Sequence, residues 1–254
     1  MSAPGASQAQ RSTGQAQRST GPAFAVEVVS LVPQLWPVLL GDAGGVVGRA
    51  FSRGLAQLYV RHLRDYGRGP QQKVDDTPFG GGAGMILGVE PLHRAIVDAR
   101  ANTPGPVIAL SPRGRRCDQA LVRELAAGRG MILLCGRYEG FDERVRRYID
   151  VDVSAGDFVL SAGDPAAWCL IDAVVRLLPG ALGNPASLCG ESFAEGSLAY
   201  PQYTRPVTYN GESVPEVLRS GDHGAIARWR AEAARQLTET LRPDLQSEGK
   251  RSLA

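Results

Sequence analysis

The chain has 254 residues, of which 43% are apolar, so it can bury a full core as one large unit or two small ones. Its formal net charge of +2 neither demands nor excludes a nucleic-acid partner. No apolar run approaches the ~20 residues needed to span a bilayer, and no secretory leader pattern opens the chain.

Residues 1–22 repeat AQRSTG and hold almost nothing apolar beyond alanine, which predicts a disordered tail. "FAVEVVSLV", residues 24–32, predicts the first strand. Val47, Ala50, Phe51, Leu55 and Leu58 recur at helical intervals and predict a helix over 46–60. Residues 73–87, "KVDDTPFGGGAGMIL", follow with Gly80, Gly81, Gly82 and Gly84 close together. No GxGxxG register fits, so a bent, tightly approached loop is expected in place of a dinucleotide fingerprint.

From residue 106 strands and helices alternate. "PVIALS" (106–111) reads as a strand, and Asp118 caps a helix that runs through Ala127 and closes at Gly128. "MILLC" (131–135) is the next strand, residues 141–149 a short helix, and "DFVLS" (157–161) a further strand. Asp164 is placed to cap a helix with Pro165 at its first position, burying Trp168, Ile171, Val175 and Leu178. Repeated units of this kind imply an α/β fold with a mainly parallel, covered sheet. Residues 183–214 lose periodicity and gain Gly, Pro, Ser and Asn. Helical spacing returns over 215–241, with Trp229, Ala233, Leu237 and Leu241 on one stripe and Pro243 as the stop. The expected organisation is a tail (1–22), an α/β domain (23–182), a linker (183–206), a small helical domain (207–246) and a second tail (247–254).

The cysteines form no CxxC pair and the three histidines are scattered, so no zinc site is expected. Cys135 lies in an apolar run and reads as a buried thiol, which suits a reducing cytosol. Basic residues cluster at 49–73 and at Arg113, Arg115 and Arg116, either as solvated faces or as a phosphate-contacting surface. The stretch "MILLCGRYEGFDERVRR" (131–147) stops an apolar strand at Gly136 and then releases Arg137, Glu139, Asp142, Glu143 and Arg144. Charge released where a strand ends marks a binding site in α/β proteins.

Seven segments, taken together, resemble one family: "VDDTPFGGGAGM" (74–85), "LSPRGRRCDQALVRELA" (110–126), "LLCGRYEGFDERV" (133–145), "SAGDFVLSAGD" (154–164), "IDAVVRLLPGALGN" (171–184), "YPQYTRP" (200–206) and "VPEVLRSGDHGAIARWR" (214–230). They look like the bacterial tRNA (guanine-N1)-methyltransferases, TrmD, over roughly residues 24–246. The resemblance implies a SPOUT-superfamily α/β domain with a C-terminal trefoil knot, which general rules of chain connection would have rejected. It also implies a homodimer with its site at the subunit interface, and methylation of the guanosine just 3′ of the anticodon. The implied cofactor is S-adenosylmethionine, with tRNA as partner, no DNA or membrane role, and the cytoplasm as location.

By resemblance the cofactor meets Leu110, Ser111 and Pro112, then Gly136, then Ser154, Ala155, Gly156, Asp157, Phe158, Val159, Leu160, Ala162 and Gly163. N1 of guanine carries a proton at neutral pH, so the reaction needs a base near N1 and a cation near O6. The family's arginine corresponds to Arg176, which could otherwise be an i,i+4 partner of Asp172 on an exposed helix face. The family's aspartate position holds Glu191, one methylene longer. Arg137 and Glu139 are expected to face the guanine pocket or a metal. Magnesium is associated with the family's activity, and Glu139 is a candidate for influencing it; no metal ligands are assigned. Glu139 could equally pair with Arg137 or Arg144.

Other departures from the family pattern are Phe158 for the usual Tyr, Ala162-Gly163-Asp164 for Gly-Gly-Glu, and "GPQQKVDD" for a segment that usually carries His and Thr. They leave two other readings: a paralogue that methylates another RNA or a small molecule, and a non-catalytic RNA-binding module.

Overall fold

The computed structural model describes residues 23–41, 44–194 and 196–245. The two expected tails lie outside these residues.

Strand β1 (Phe24–Ser30) is buried along its whole length, including its two polar residues, Glu27 and Ser30, each of which has a side-chain partner. A 3₁₀ segment, Pro33–Leu40, seats the fully buried Trp36 beside Trp168, with ring centroids 6.3 Å apart. Helix α1 spans Gly45–Ser52 and β2 spans Ala56–His62. The helix expected over 46–60 therefore ends eight residues early. Gly54, at φ +72°, turns the chain where a side chain would be strained, and Leu58 joins a strand that pairs parallel with β1. The glycine-rich stretch closes a small antiparallel pair, β3 (Asp75–Asp76) and β4 (Ile86–Leu87).

Helix α2 (Val89–Asn102) leads to β5 (Val107–Arg116), α3 (Gln119–Ala126) and β6 (Gly130–Cys135). Asp118 caps α3 as expected, its side chain accepting from the Leu121 amide at 2.8 Å. The short helix over 141–149 is a 3₁₀ segment, Glu143–Tyr148. The next strand, β7, is Val151–Ser154, and residues 157–161, expected as a strand, form none. Their apolar side chains are exposed at the end of the sheet and are not buried in it. Helix α4 (Asp164–Val175) buries Ile171, Val174 and Val175. Asp164 is not its cap; Gly163 occupies that position, and the Asp164 carboxylate accepts from Ser30 Oγ at 2.5 Å.

Five parallel strands run in the order β2-β1-β6-β5-β7. One face packs Val26, Val28, Ile108 and Leu133 against α1, α3 and α4; the other packs Val29, Ile132 and Leu134 against α2. β5 breaks register between Leu110 and Arg115, both opposite Val153. Residues 111–114 therefore bulge out of the ladder, where Pro112 has no amide to donate.

Beyond α4 the chain forms a 3₁₀ segment (Pro185–Leu188), a two-stranded pair of β8 (Thr208–Tyr209) and β9 (Glu212–Ser213), and a 19-residue helix, α5 (His223–Leu241). Thr238 of α5 is buried and accepts from the Leu198 amide at 2.9 Å. Among the described residues no helix is long and apolar enough to cross a membrane.

Candidate active site

A cavity of about 370 Å³ opens at the carboxyl ends of β5, β6 and β7, where open parallel sheets bind ligands. The β5 bulge supplies Leu110, Ser111, Pro112 and Arg113. The turn after β6 supplies Gly136, Arg137, Tyr138, Glu139, Gly140 and Phe141. The segment after β7 supplies Ser154, Ala155, Gly156, Phe158, Val159, Leu160, Ser161, Ala162 and Gly163. All the residues expected to meet a cofactor line this cavity except Asp157, which is exposed and outside it. Phe158, Val159 and Leu160 are the exposed apolar residues that imitate a strand in the sequence; they form part of the cavity's wall.

Two close approaches shape the floor. The Gly163 amide donates to the Gly136 carbonyl at 2.7 Å, and Arg137 pairs with Ala162 in a backbone bridge. A Cβ on Gly163 would stand 2.8 Å from the Gly136 nitrogen, so only glycine fits there. The glycine-rich loop lies behind Glu139, outside the cavity's lining: the Glu139 amide donates to the Met85 carbonyl at 3.0 Å, and a Cβ on Gly84 would meet the Glu139 carboxylate at 2.6 Å. The expectation of a bent loop holds, with positive φ at Gly80, Gly81, Gly82 and Gly84, but close approach is found at Gly84 alone and the other three face open space.

Among the described residues Glu139 forms no ion pair, so neither Arg137 nor Arg144 is its partner. Arg137 faces Asp164, Nη2 to Oδ2 at 3.6 Å, and Arg144 forks onto Asp142 at 2.9 and 2.7 Å. The sequence marks Arg113 only as part of a basic cluster and gives no sign of Arg146, yet both line the cavity. Both reach Glu143, at 2.8 and 3.2 Å, and Arg146 also meets Asp152 at 2.5 Å. The Arg113 guanidinium, helped by Arg146, holds the Glu143 carboxyl below the usual carboxylate range. The position of Arg113 in the same loop as Pro112 was the one available signal. Cys135 is buried as expected, and burial, with the Asp164 charge beside it, pushes its thiol well up.

Arg176 and Glu191 do not line this cavity. They bind each other, Nη1 to Oε2 at 2.9 Å and Nη2 to Oε1 at 2.5 Å. The i,i+4 partnership of Arg176 with Asp172 is therefore displaced by a bidentate contact fifteen positions on. Glu195, an alternative carboxylate in this segment, lies outside the described residues. Among the described residues no three His, Cys, Asp or Glu side chains gather as metal ligands would.

The basic stretch 49–73 is partly neutralised. Arg61 pairs with the buried Glu27, and Arg68 and Lys73 both approach Asp76, at 3.9 and 3.0 Å. On α5, Arg235 is clamped between Glu232 and Glu239, at 2.6 and 2.5 Å, and Arg230 stacks over Tyr200.

Residues 24–248 match the family model described as tRNA (Guanine-1)-methyltransferase TrmD. A tRNA (guanine-N(1)-)-methyltransferase of Anaeromyxobacter sp. (strain Fw109-5) is 50% identical over 223 residues, covering 87% of this chain and 89% of the relative. The protein of the same name from Ruegeria pomeroyi is 50% identical over 221 residues, or 86% and 90% of the two chains. That from Rhizobium etli is 47% identical over 224 residues, or 88% and 95%. With a family match across nearly all its length and relatives close to half identical, the chain belongs to the tRNA (guanine-N1)-methyltransferase (TrmD) family.

Proposed function

We propose that this protein methylates N1 of guanine in tRNA, at the guanosine 3′ of the anticodon, using S-adenosylmethionine. The observation that carries this reading is the cavity that gathers three loops at the ends of β5, β6 and β7. Its lining suits a bent ligand of mixed character: apolar walls from Leu110, Pro112, Phe158, Val159 and Leu160, glycine backbone at close range, and charged groups at Arg137 and Glu139. When bound, S-adenosylmethionine would supply a methyl group on a sulfonium, whose carbon–sulfur bond breaks with its electron pair left on sulfur as a neutral thioether.

The chain's own residues then have the harder task, which is to prepare the acceptor. A carboxylate oxygen of Glu191 takes the N1 proton, leaving the nitrogen's electron pair to form the new bond to carbon. The Arg176 guanidinium offsets the negative charge that develops on O6. Arg137 and Glu139 line the cavity and face the guanine; the described residues hold no cluster of carboxylates that fits a magnesium ion there. Because Arg176 and Glu191 lie outside the cavity of their own chain, the reading that fits both is a homodimer. In it each protomer's pair serves the other's cavity at the subunit interface.

We read residues 23–182 as the cofactor-binding domain, 183–206 as the linker and 207–246 as a tRNA-binding domain. We also read the C-terminal part of the first domain as following the family's knotted path. Acting on tRNA, the enzyme would work in the cytoplasm, with no part for DNA or membrane.

Single-turnover transfer from labelled S-adenosylmethionine to tRNA, with the product nucleoside mapped, tests the reading. Label at N1 of the guanosine 3′ of the anticodon is the expected result. Normal cofactor binding with no transfer to tRNA would overturn it in favour of an altered substrate.

A further inference from the structure

Asp164 is a charged residue in an apolar place. It is 3% exposed, at the start of α4, among side chains of the main core. Its two oxygens have different company. Oδ1 accepts from Ser30 Oγ at 2.5 Å, a contact that reaches back 134 positions to the last residue of β1. Oδ2 accepts no hydrogen bond and faces Arg137 Nη2 at 3.6 Å. Arg137 shows the complementary pattern. Its Nε is buried without an acceptor, while the side chain as a whole is 31% exposed and lines the cavity.

A buried carboxylate is costly unless a counter-charge or donors meet it. Here the counter-charge comes from a residue that also faces the cavity, and the N-terminal end of α4 adds a favourable field. The backbone restrains the same pair, since Gly163 donates to Gly136 and Arg137 bridges to Ala162. Ser30 fixes the carboxylate, and the carboxylate faces the guanidinium. An arginine side chain has many rotamers, and an opposed, immobile charge selects among them.

We propose that Asp164 is a positioning residue: braced by Ser30, it holds the Arg137 guanidinium at the cavity wall as a fixed cation facing the substrate. Its consequence for turnover rests on the methyl-transfer reading; its geometry does not. Without Asp164 the guanidinium leaves its place, and misplacement by ~1 Å can cost on the order of 10²-fold in rate.

Two measurements test this, one with activity and one without. The Nε–Hε signal of Arg137, assigned by its loss in Arg137→Gln, is followed by nitrogen-15 NMR. It is sharp and slow to exchange in the unaltered protein and broadens or vanishes in Asp164→Asn; an unchanged signal overturns the proposal. In single-turnover methyl transfer, Asp164→Asn lowers the rate about 10²-fold, leaves cofactor affinity within a few-fold, and has no further effect in an Arg137→Gln background. Equal losses in both backgrounds overturn the proposal, because Asp164 would then act on the fold alone. Asp164→Glu keeps the charge and restores the rate to within a few-fold of the unaltered protein. Should Asp164→Asn fail to fold, Ser30→Ala removes the brace and keeps the charge. It then loosens the Arg137 signal in the same direction, and no change overturns the proposal. If the unaltered protein transfers no methyl group to tRNA, the proposed function fails and the NMR arm alone decides the role of Asp164.

Discussion

Glu191 accepts both arms of the Arg176 guanidinium, at 2.9 and 2.5 Å, with both side chains about one-third exposed. The Arg176 guanidinium holds the Glu191 carboxyl below its usual range, more than partial burial raises it. A depressed carboxyl is a weaker base, so the pair must open or loosen as the reaction proceeds. Glu191→Gln is expected to remove most methyl transfer and leave cofactor and tRNA affinity nearly unchanged, since the role concerns the transition state. Glu191→Asp should retain activity. Near-normal single-turnover rates in Glu191→Gln would end this assignment and turn attention to Asp157 or Glu195.

The same pair predicts a pH effect with a definite sign. The folded-state carboxyl is lowered, so the pair's contribution to stability is complete above the unfolded value and fades as pH falls through the folded one. Arg176→Ala removes the cause and lets the carboxyl rise. The acid limb of the rate–pH profile should therefore move to higher pH, together with a lower plateau. A plateau that falls with the acid limb unmoved would separate Arg176 from Glu191.

Gly163→Ala should damage the cavity before the fold. The added methyl would stand 2.8 Å from the Gly136 nitrogen and 3.0 Å from the Cys135 Cα, both backbone atoms that cannot swing aside. The two turns must part, and cofactor affinity, read by calorimetry, should fall at least tenfold. Unchanged affinity would show that the floor can give.

Leu133 sits at the centre of the sheet, fully buried on β6 between β1 and β5. Leu133→Ala is expected to lower stability by about 2–5 kcal/mol, the range for a cavity in a close-packed core. Urea unfolding with an unchanged m-value checks it.

On α5 the arginines should divide. Arg228 has no acidic partner among the described residues, whereas Arg235 is held between Glu232 and Glu239. Arg228→Ala should weaken tRNA binding across sequences and reduce the slope of log affinity against log salt by about 1. Arg235→Ala should do neither. Filter binding over a salt series distinguishes them, and equal effects would mean that the glutamate clamp opens on RNA.

Much of this could be read from residues alone where local chemistry and tertiary packing agree. β6 is an apolar run with buried partners on both sides, and α3 begins at a true cap, Asp118. The misreadings arise where they disagree. Leu55 and Leu58 keep helical spacing, but Leu55 lies just before β2 and Leu58 within it, and β2 is an edge strand that buries only Ala56 fully, so its period is blurred. Phe158 to Leu160 look like core because they are apolar, yet they wall a cavity. Asp164 looks like a cap and is an ion-pair partner instead. The loops that line the cavity were legible only through family resemblance, since Ser, Ala and Gly near strand ends carry little signal of their own. The Arg176–Glu191 contact joins a helix end to an aperiodic segment, and no spacing rule predicts that.

The order of the strands has a consequence during synthesis. β1 and β2 leave the ribosome early, but the central neighbour of β1 is β6, and Ala25 waits for Gly130. At about 5–20 residues per second, that interval lasts on the order of 5–20 s. Throughout it the nascent chain carries a mostly apolar strand with one edge unfilled, a template for unwanted pairing. This protein should therefore depend on holding factors at the exit tunnel more than its length suggests, and should refold slowly when diluted from denaturant.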